Sequence, residues 1–321
     1  MHRDQDNKNT RSQLLFFKSV MFPSPEFSPS YPMPSLKFAL SIAIRSLVCC
    51  LFGFITIIAT THMHAADPGD KKLKILLVAG GCCHDYPAQT QLLKEGLEKR
   101  INSEVTVVLS SDTSTKATFK IYESDDWAKG YDVVIHDECS ANVTDKPYIG
   151  RILNAHRNGT PAVNLHCAMH SYRYGNFRAP VDVNADNAGW YEMLGVQSTG
   201  HGPKTPIDII FEDKEHPITK GLKNWKTINE ELYNNVRIYS GASVLVKGDQ
   251  TMQPKKKELK ENPNAKPRKA SAVVAWTNQY GPKKTRIFST SLGHQNETVA
   301  DERYLDFVSR GVLWATGNLN R

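Results

Sequence analysis

The sequence predicts an α/β protein whose parallel sheet is covered by helices on both faces. Three observations carry that reading. From residue 72 onward, short apolar runs rich in Val, Ile and Leu alternate with amphipathic stretches, the order expected of strand–helix–strand units. The apolar runs are continuous rather than alternating, as strands buried on both faces require. Histidine-bearing polar clusters follow directly on several of these runs, and open α/β sheets bind ligands beyond the carboxyl ends of their strands.

The elements follow in order. "KLKILLVAG" (72–80) is a buried strand ending in glycine. "AQTQLLKEGLEKRI" (88–101) places Leu92, Leu93, Leu97 and Ile101 on one helical face. "EVTVVLSSD" (104–112) and "YDVVIHDEC" (131–139) are the second and third strands. "DKPYIGRILNAHRNG" (145–159) is a helix with Asp145 as its cap, Pro147 in the first turn and Gly159 as its stop. "TPAVNL" (160–165) is the fourth strand, and "HCAMHSYR" follows it. "PIDIIFED" and "ASVLVKGD" are later strands, and "SAVVAWTNQYGPKKTRIFSTSLG" is two strands around a turn at Gly281-Pro282. "ADERYLDFVSRGVLWATG" (300–317) is the closing helix, capped at Asp301 or a neighbour and stopped at Gly317.

The segment before this body is of another kind. Residues 1–35 are polar, with five prolines between Pro23 and Pro34. Lys37 and Arg45 then precede "SLVCCLFGFITIIA" and "THMHAAD". A basic flank, an apolar core and small residues at its end form a secretory signal pattern, cut near Ala65 or Ala66. Met63 or His64 at the third position before the cut departs from the small-residue rule, so an uncleaved membrane anchor is the alternative. Met33 is an alternative start. Residues 1–66 are therefore expected to be a leader and 67–321 a single domain. The protein is expected in the periplasm or secreted, with membrane contact only through an uncleaved leader.

Charge argues against nucleic acid. The 321 residues carry a net +7, but residues 1–66 account for +3 and residues 249–270 for +4, so the remaining body is near neutral and has no basic face to offer. Residues 249–270, lysine-rich and broken by prolines, read as an exposed loop without apolar anchors. Beyond the leader there are four cysteines, Cys82, Cys83, Cys139 and Cys167. They are too few for a disulfide scaffold and lack zinc-finger spacing. The adjacent Cys82-Cys83 pair is not expected to bridge to itself.

The motifs "LLVAGGCCHDYP", "LHCAMHSYR", "EHPITKGLKNW", "NEELYNN" and "RIFSTSLGHQNETVADERYLDFVSRGVLWATG", in this order over residues 72–318, resemble the trehalose-utilisation (ThuA-like) family. The resemblance implies a flavodoxin-like fold of the class I glutamine amidotransferase type. It implies a role in sugar catabolism, on trehalose-type disaccharides or their 3-keto derivatives. Matching the motifs brings forward His84 and Asp85 of the first loop, His166, His201 of "STGHGP", Glu231 and Tyr233 of "EELY", and His294 of "SLGH". Relatives often carry Ala where this chain has Cys167.

Three chemistries stay open at the sheet edge. In the first, Cys167 is a nucleophile on a strand-to-helix turn with His294 as base and Glu297 as orienter, an amidohydrolase arrangement. Leu165 and Met169 sit where such a turn wants small residues. In the second, His166, His201 and His294, helped by Glu231, hold a divalent metal such as zinc. In the third, His84, Asp85, His166, Glu231 and His294 perform acid–base work on a small-molecule sugar, with Tyr172, Arg173, Trp190 and Tyr233 binding the ring. A non-catalytic carbohydrate-binding role is the remaining alternative. Oligomeric state is not legible.

Overall fold

The structure, a computed structural model, describes residues 71–254 and 256–319. The expected leader lies outside the described residues. Among the described residues no helix is long and apolar enough to cross a membrane.

β1 (Leu73–Gly81) pairs in parallel with β2 (Ser103–Leu109) and β3 (Val133–Cys139); β3 pairs with β4 (Ala162–Leu165), and β4 with β9 (Thr285–Thr290), again in parallel. This half is the fold the sequence predicts. β1 shows why its apolar run is unbroken. Ile75 and Leu77 join the core on one face, with Leu93 and Leu97 of α1 (Tyr86–Arg100) and Leu305 and Val308 of α6 (Glu302–Ala315). Leu76 and Val78 join the core on the other, with Ile149 and Ile152 of α2 (Lys146–Arg157) and Trp190 of α3 (Gly189–Leu194). Close layer contact is fixed at Gly311 of α6, where an added Cβ would stand 2.2 Å from the Phe288 ring.

The other half differs from a purely parallel sheet. β5 (Val196–Phe211), β6 (Trp225–Ile238), β7 (Ala242–Met252) and β8 (Arg268–Tyr280) are antiparallel, and the whole sheet runs β2-β1-β3-β4-β9-β8-β7-β5-β6. β6 escapes sequence reading because "WKTINEELYNNVRI" has no clean apolar period. The expected loop at 249–270 is also corrected. Its ends are paired strand, Asp249 with Ser271 through Met252 with Arg268, and only 253–267, with the exposed short helix α4 (Lys256–Glu261), lie outside the ladder. Gln250 is buried, its amide donating to the carbonyls of Pro203, Thr205 and Glu230.

β6 lies five strands from β4 in the sheet order. With neighbours about 4.8 Å apart, a flat sheet would separate them by well over 20 Å. Yet the Tyr233 hydroxyl of β6 is 3.3 Å from His166 Nε2, just past β4. The antiparallel half therefore curls back over the carboxyl ends of the parallel strands, and four register shifts along the β5–β6 pairing accompany that bend.

Candidate active site

Five segments bring the site together. The loop after β1 carries His84, a 3-10 turn at His166–His170 follows β4, the loop after β9 carries His294, and β5 and β6 bring His201, Glu231 and Tyr233 from above. His201 pairs with Tyr233 and Lys204 with Glu231 across β5 and β6.

The turn after β4 is strained at its first residue. His166 has φ +36°, in the left-handed region, where a non-glycine residue costs about 1–3 kcal/mol. The elbow position thus belongs to His166, and Cys167 sits behind it. His166 Nδ1 donates to the Ser291 carbonyl at 2.7 Å, which leaves Nε2 as a bare lone pair. Around that lone pair stand His294 Nδ1 at 3.3 Å, the Tyr233 hydroxyl at 3.3 Å and Glu231 Oε2 at 3.6 Å. Glu231 Oε1 lies 3.5 Å from His294 Nδ1 and 3.4 Å from His201 Nδ1. His84 packs its ring edge-on against both His166 and His294, centroids 4.8 Å away in each case.

Burial sets the charge states. It lowers His84 and His294 to about 4 and His166 well below the usual histidine value, so all three are neutral imidazoles near pH 7. For His84 the hydrogen bond to the His294 carbonyl opposes the shift, and the nearby Lys204 and His201 add to it. Burial also raises the Glu231 carboxyl, against the pull of His201 and Lys204.

Cys167 contacts His84, not the expected His294: His84 Nε2 is 3.0 Å from its Sγ. Its thiol is buried, and a hydrogen bond with Cys139 together with burial pushes it well above the usual cysteine value. A thiol held protonated is a poor nucleophile. Glu297 lines a cleft beside His294. The Cys82-Cys83 expectation is corrected, for the two form a disulfide with each other. Cys83 at φ +87° and Gly81 at φ +94° turn the chain tightly enough to close it, and at Gly81 an added Cβ would meet the Cys139 carbonyl oxygen at 2.4 Å.

The remaining residues named from sequence divide. Asp85 caps α1, accepting from the Ala88 amide and from Asn296 Nδ2 at 3.3 and 3.1 Å. Trp190 is core, its indole N–H donating to the Ala168 carbonyl, and Tyr172 is core, donating to Glu138. Both side chains are buried. Arg173 lies over the Phe177 ring. His170 turns away to Ser198 and stacks on Tyr233. His201 touches Glu231, while the histidine whose ring nitrogen groups with those of His166 and His294 is His84.

Sequence reasoning missed Glu230 and Lys204. Glu230, fully buried, accepts from the backbone amides of His294 and Gln295 and so anchors the His294 loop onto β6. The "EE" pair within a strand was the available signal, since neighbouring strand positions face opposite sides and two acids can stay buried there only with partners. Lys204 lines, with His84, Asp85 and His294, a cleft of about 370 Å³, within the range of small-ligand pockets. His201 and Tyr233 line a second cleft of about 830 Å³.

The ThuA pattern, described as trehalose utilisation, matches residues 74–315. The chain belongs to the ThuA family. Among solved structures it resembles a ThuA-like protein of Parabacteroides merdae, with 20% identity and a TM-score of 0.54 over 77% of this chain and 90% of that one. It also resembles a ThuA-like protein of Bacteroides uniformis, with 18% identity and a TM-score of 0.50 over 77% and 95%. These likenesses establish the ThuA fold, of the glutamine amidotransferase type. No curated protein matches the chain.

Proposed function

We propose that this ThuA protein processes trehalose-type disaccharides or their 3-keto derivatives by acid–base chemistry at the His84–His166–Glu231–His294 cluster. One observation carries the reading. His166, His201 and His294, distant in sequence, each bring a ring nitrogen to 3.4–3.6 Å from the buried Glu231 carboxylate, beside an open cleft that His84 also lines. Opening or cleaving a keto-sugar needs a proton taken next to a carbonyl and a proton given to an oxygen. Glu231 is the proton carrier, the Tyr233 hydroxyl is a donor, and Lys204 is the charge at the cleft that can steady a developing oxyanion.

An amidohydrolase has one contact in its favour, the 3.0 Å approach of His84 Nε2 to Cys167. The burial and protonation of that thiol weigh against it. A binding role without chemistry would not need a carboxylate buried among histidines, which costs stability. The leader pattern and the Cys82–Cys83 bridge both support a place outside the cytoplasm, where disulfides persist.

The test is incubation of purified protein with trehalose and with 3-keto-trehalose, products followed by NMR. Conversion is expected, and Glu231→Gln should slow it by about a hundredfold or more. Binding without conversion of either sugar would refute the enzyme reading. Export of a reporter fused to residues 1–70 tests the location.

A further inference from the structure

The cluster of His84, His166 and His294 offers one ring nitrogen from each residue, all within 4.8 Å of one another. Three features of these nitrogens point beyond proton transfer. First, two of the rings have their tautomers set by backbone carbonyls. His166 Nδ1 is committed to Ser291 O at 2.7 Å and His84 Nδ1 to His294 O at 3.2 Å, so the Nε2 atoms carry lone pairs. A second ring nitrogen held by a carbonyl is the usual support for a metal-binding histidine.

Second, the contacts inside the cluster are longer than ordinary hydrogen bonds, which lie at about 2.7–3.2 Å. His166 Nε2 to His294 Nδ1 is 3.3 Å, and Glu231 oxygens stand 3.5 and 3.6 Å from these two nitrogens. A tetrahedral cation with bonds of about 2.0–2.1 Å has ligand–ligand edges of about 3.3–3.4 Å. Among His166, His294 and Glu231 the spacing suits a small ion at the centre better than it suits direct bonds, and the His84 nitrogen lies within 4.8 Å of the other two histidine nitrogens. Third, the cluster is rich in acceptors. Around His166 Nε2 the Tyr233 hydroxyl and His294 Nδ1 are the available donors, and the same nitrogen of His294 also faces Glu231. A cation satisfies all of these lone pairs together.

We propose that His84, His166 and His294 are the nitrogen ligands of a divalent cation of the zinc type, with the Glu231 carboxylate against it. This deepens the sugar-processing reading and rests on that reading for its role. The cation supplies Lewis-acid polarisation of a sugar carbonyl, while Glu231 keeps the proton. His84 completes the set by releasing its contact with Cys167 and closing toward the other two rings. The set differs from the one legible in the sequence, since His84 replaces His201. The other close group, Cys82, Cys83 and Cys139, is closed to metal by the Cys82–Cys83 disulfide.

The test uses the full chain, stripped with a chelator, dialysed and titrated with Co²⁺ and with Zn²⁺. Calorimetry reads the stoichiometry, and visible absorption of Co²⁺ reads the geometry. One equivalent per chain is expected, with an absorption typical of low coordination number. His294→Ala and His84→Ala should each weaken binding by about a hundredfold or more, with folding checked by circular dichroism. His166→Asn serves as a third variant at the strained position. Glu231→Gln should weaken Co²⁺ binding less than the histidine variants do, by about tenfold to a hundredfold, while sugar conversion falls. Absence of stoichiometric binding, or binding unchanged in both alanine variants, overturns the inference. Full sugar conversion by the metal-free protein also overturns it and leaves the acid–base reading standing. Stoichiometric Co²⁺ in a protein that converts neither sugar does the reverse.

Discussion

His166 and Cys167 are neighbours with opposite roles. The strained φ of His166 aims its ring at Glu231, His294 and Tyr233, whereas Cys167 turns into a buried pocket between Cys139 and His84. Replacing Cys167 by alanine keeps a small side chain where relatives often carry that residue. Cys167→Ala should therefore slow sugar conversion by no more than about tenfold, or about 1.4 kcal/mol of barrier. His294→Ala removes a contact to both His166 and Glu231 and should slow it by about a hundredfold or more. Steady-state rates of the two variants decide the order. The reverse order, or a covalent adduct trapped on Cys167, would move the protein to thiol chemistry. These residues were legible as a set because each follows a strand or falls in a recognisable motif. Their partners were not. Nothing in "GGCCHDYP" says that His84 faces Cys167, since that contact spans 83 positions of the chain.

At the scale of elements, caps were readable and curvature was not. Asp145 accepts from the Tyr148 amide at 2.8 Å at the start of α2, and Asp301 caps α6, both as the sequence predicts. Asp145→Ala should cost about 1 kcal/mol of stability, read as a lower Tm with sugar conversion unchanged, because Asp145 bonds to the Tyr148 amide of its own helix and not to the cluster. The basic segment between β7 and β8 makes a second case. Replacing residues 253–267 by a two-residue Asn-Gly turn joins Met252 to Arg268, already paired across the hairpin, with a connection suited to that geometry. Tm should shift by no more than a few degrees, since loop length contributes weakly to stability. Extending the deletion to Gln250 should lower it clearly, because three backbone carbonyls lose their donor. A large drop from the shorter deletion would show that α4 packs on the body.

For the whole molecule, one pH effect lies away from the site. His156 is fully buried, its Nδ1 bonded to the Thr160 carbonyl at 2.8 Å and its Nε2 to His136 Nε2 at 2.9 Å. His136 in turn meets Glu138 and Tyr122. Burial, reinforced by His136, lowers His156 to about 3, below the unfolded value of about 6.5. The unfolded chain then binds the extra proton first as pH falls. The contribution of His156 is complete above about pH 6.5 and is lost progressively toward pH 3. Urea midpoints measured across this window should fall with pH, and His156→Gln should flatten the slope even where it lowers stability overall. An unchanged slope in the variant would show that other groups set the acid limb.

The sequence by itself determined the parallel half of the sheet, the helices α1, α2 and α6 with the caps of the last two, and the edge at which the histidines gather. Those features are local. Apolar period, cap residues and turn residues act within a few positions, and the binding edge follows from the strand order. Tertiary structure alone decided which polar groups meet. The antiparallel strands had to curl back before Glu231 and Tyr233 could reach His166, and Glu230 had to tie the His294 loop to β6. The tight turn at Gly81 and Cys83 closed a disulfide that spacing argued against. Each of these depends on contacts between residues tens to hundreds of positions apart, which no local pattern encodes.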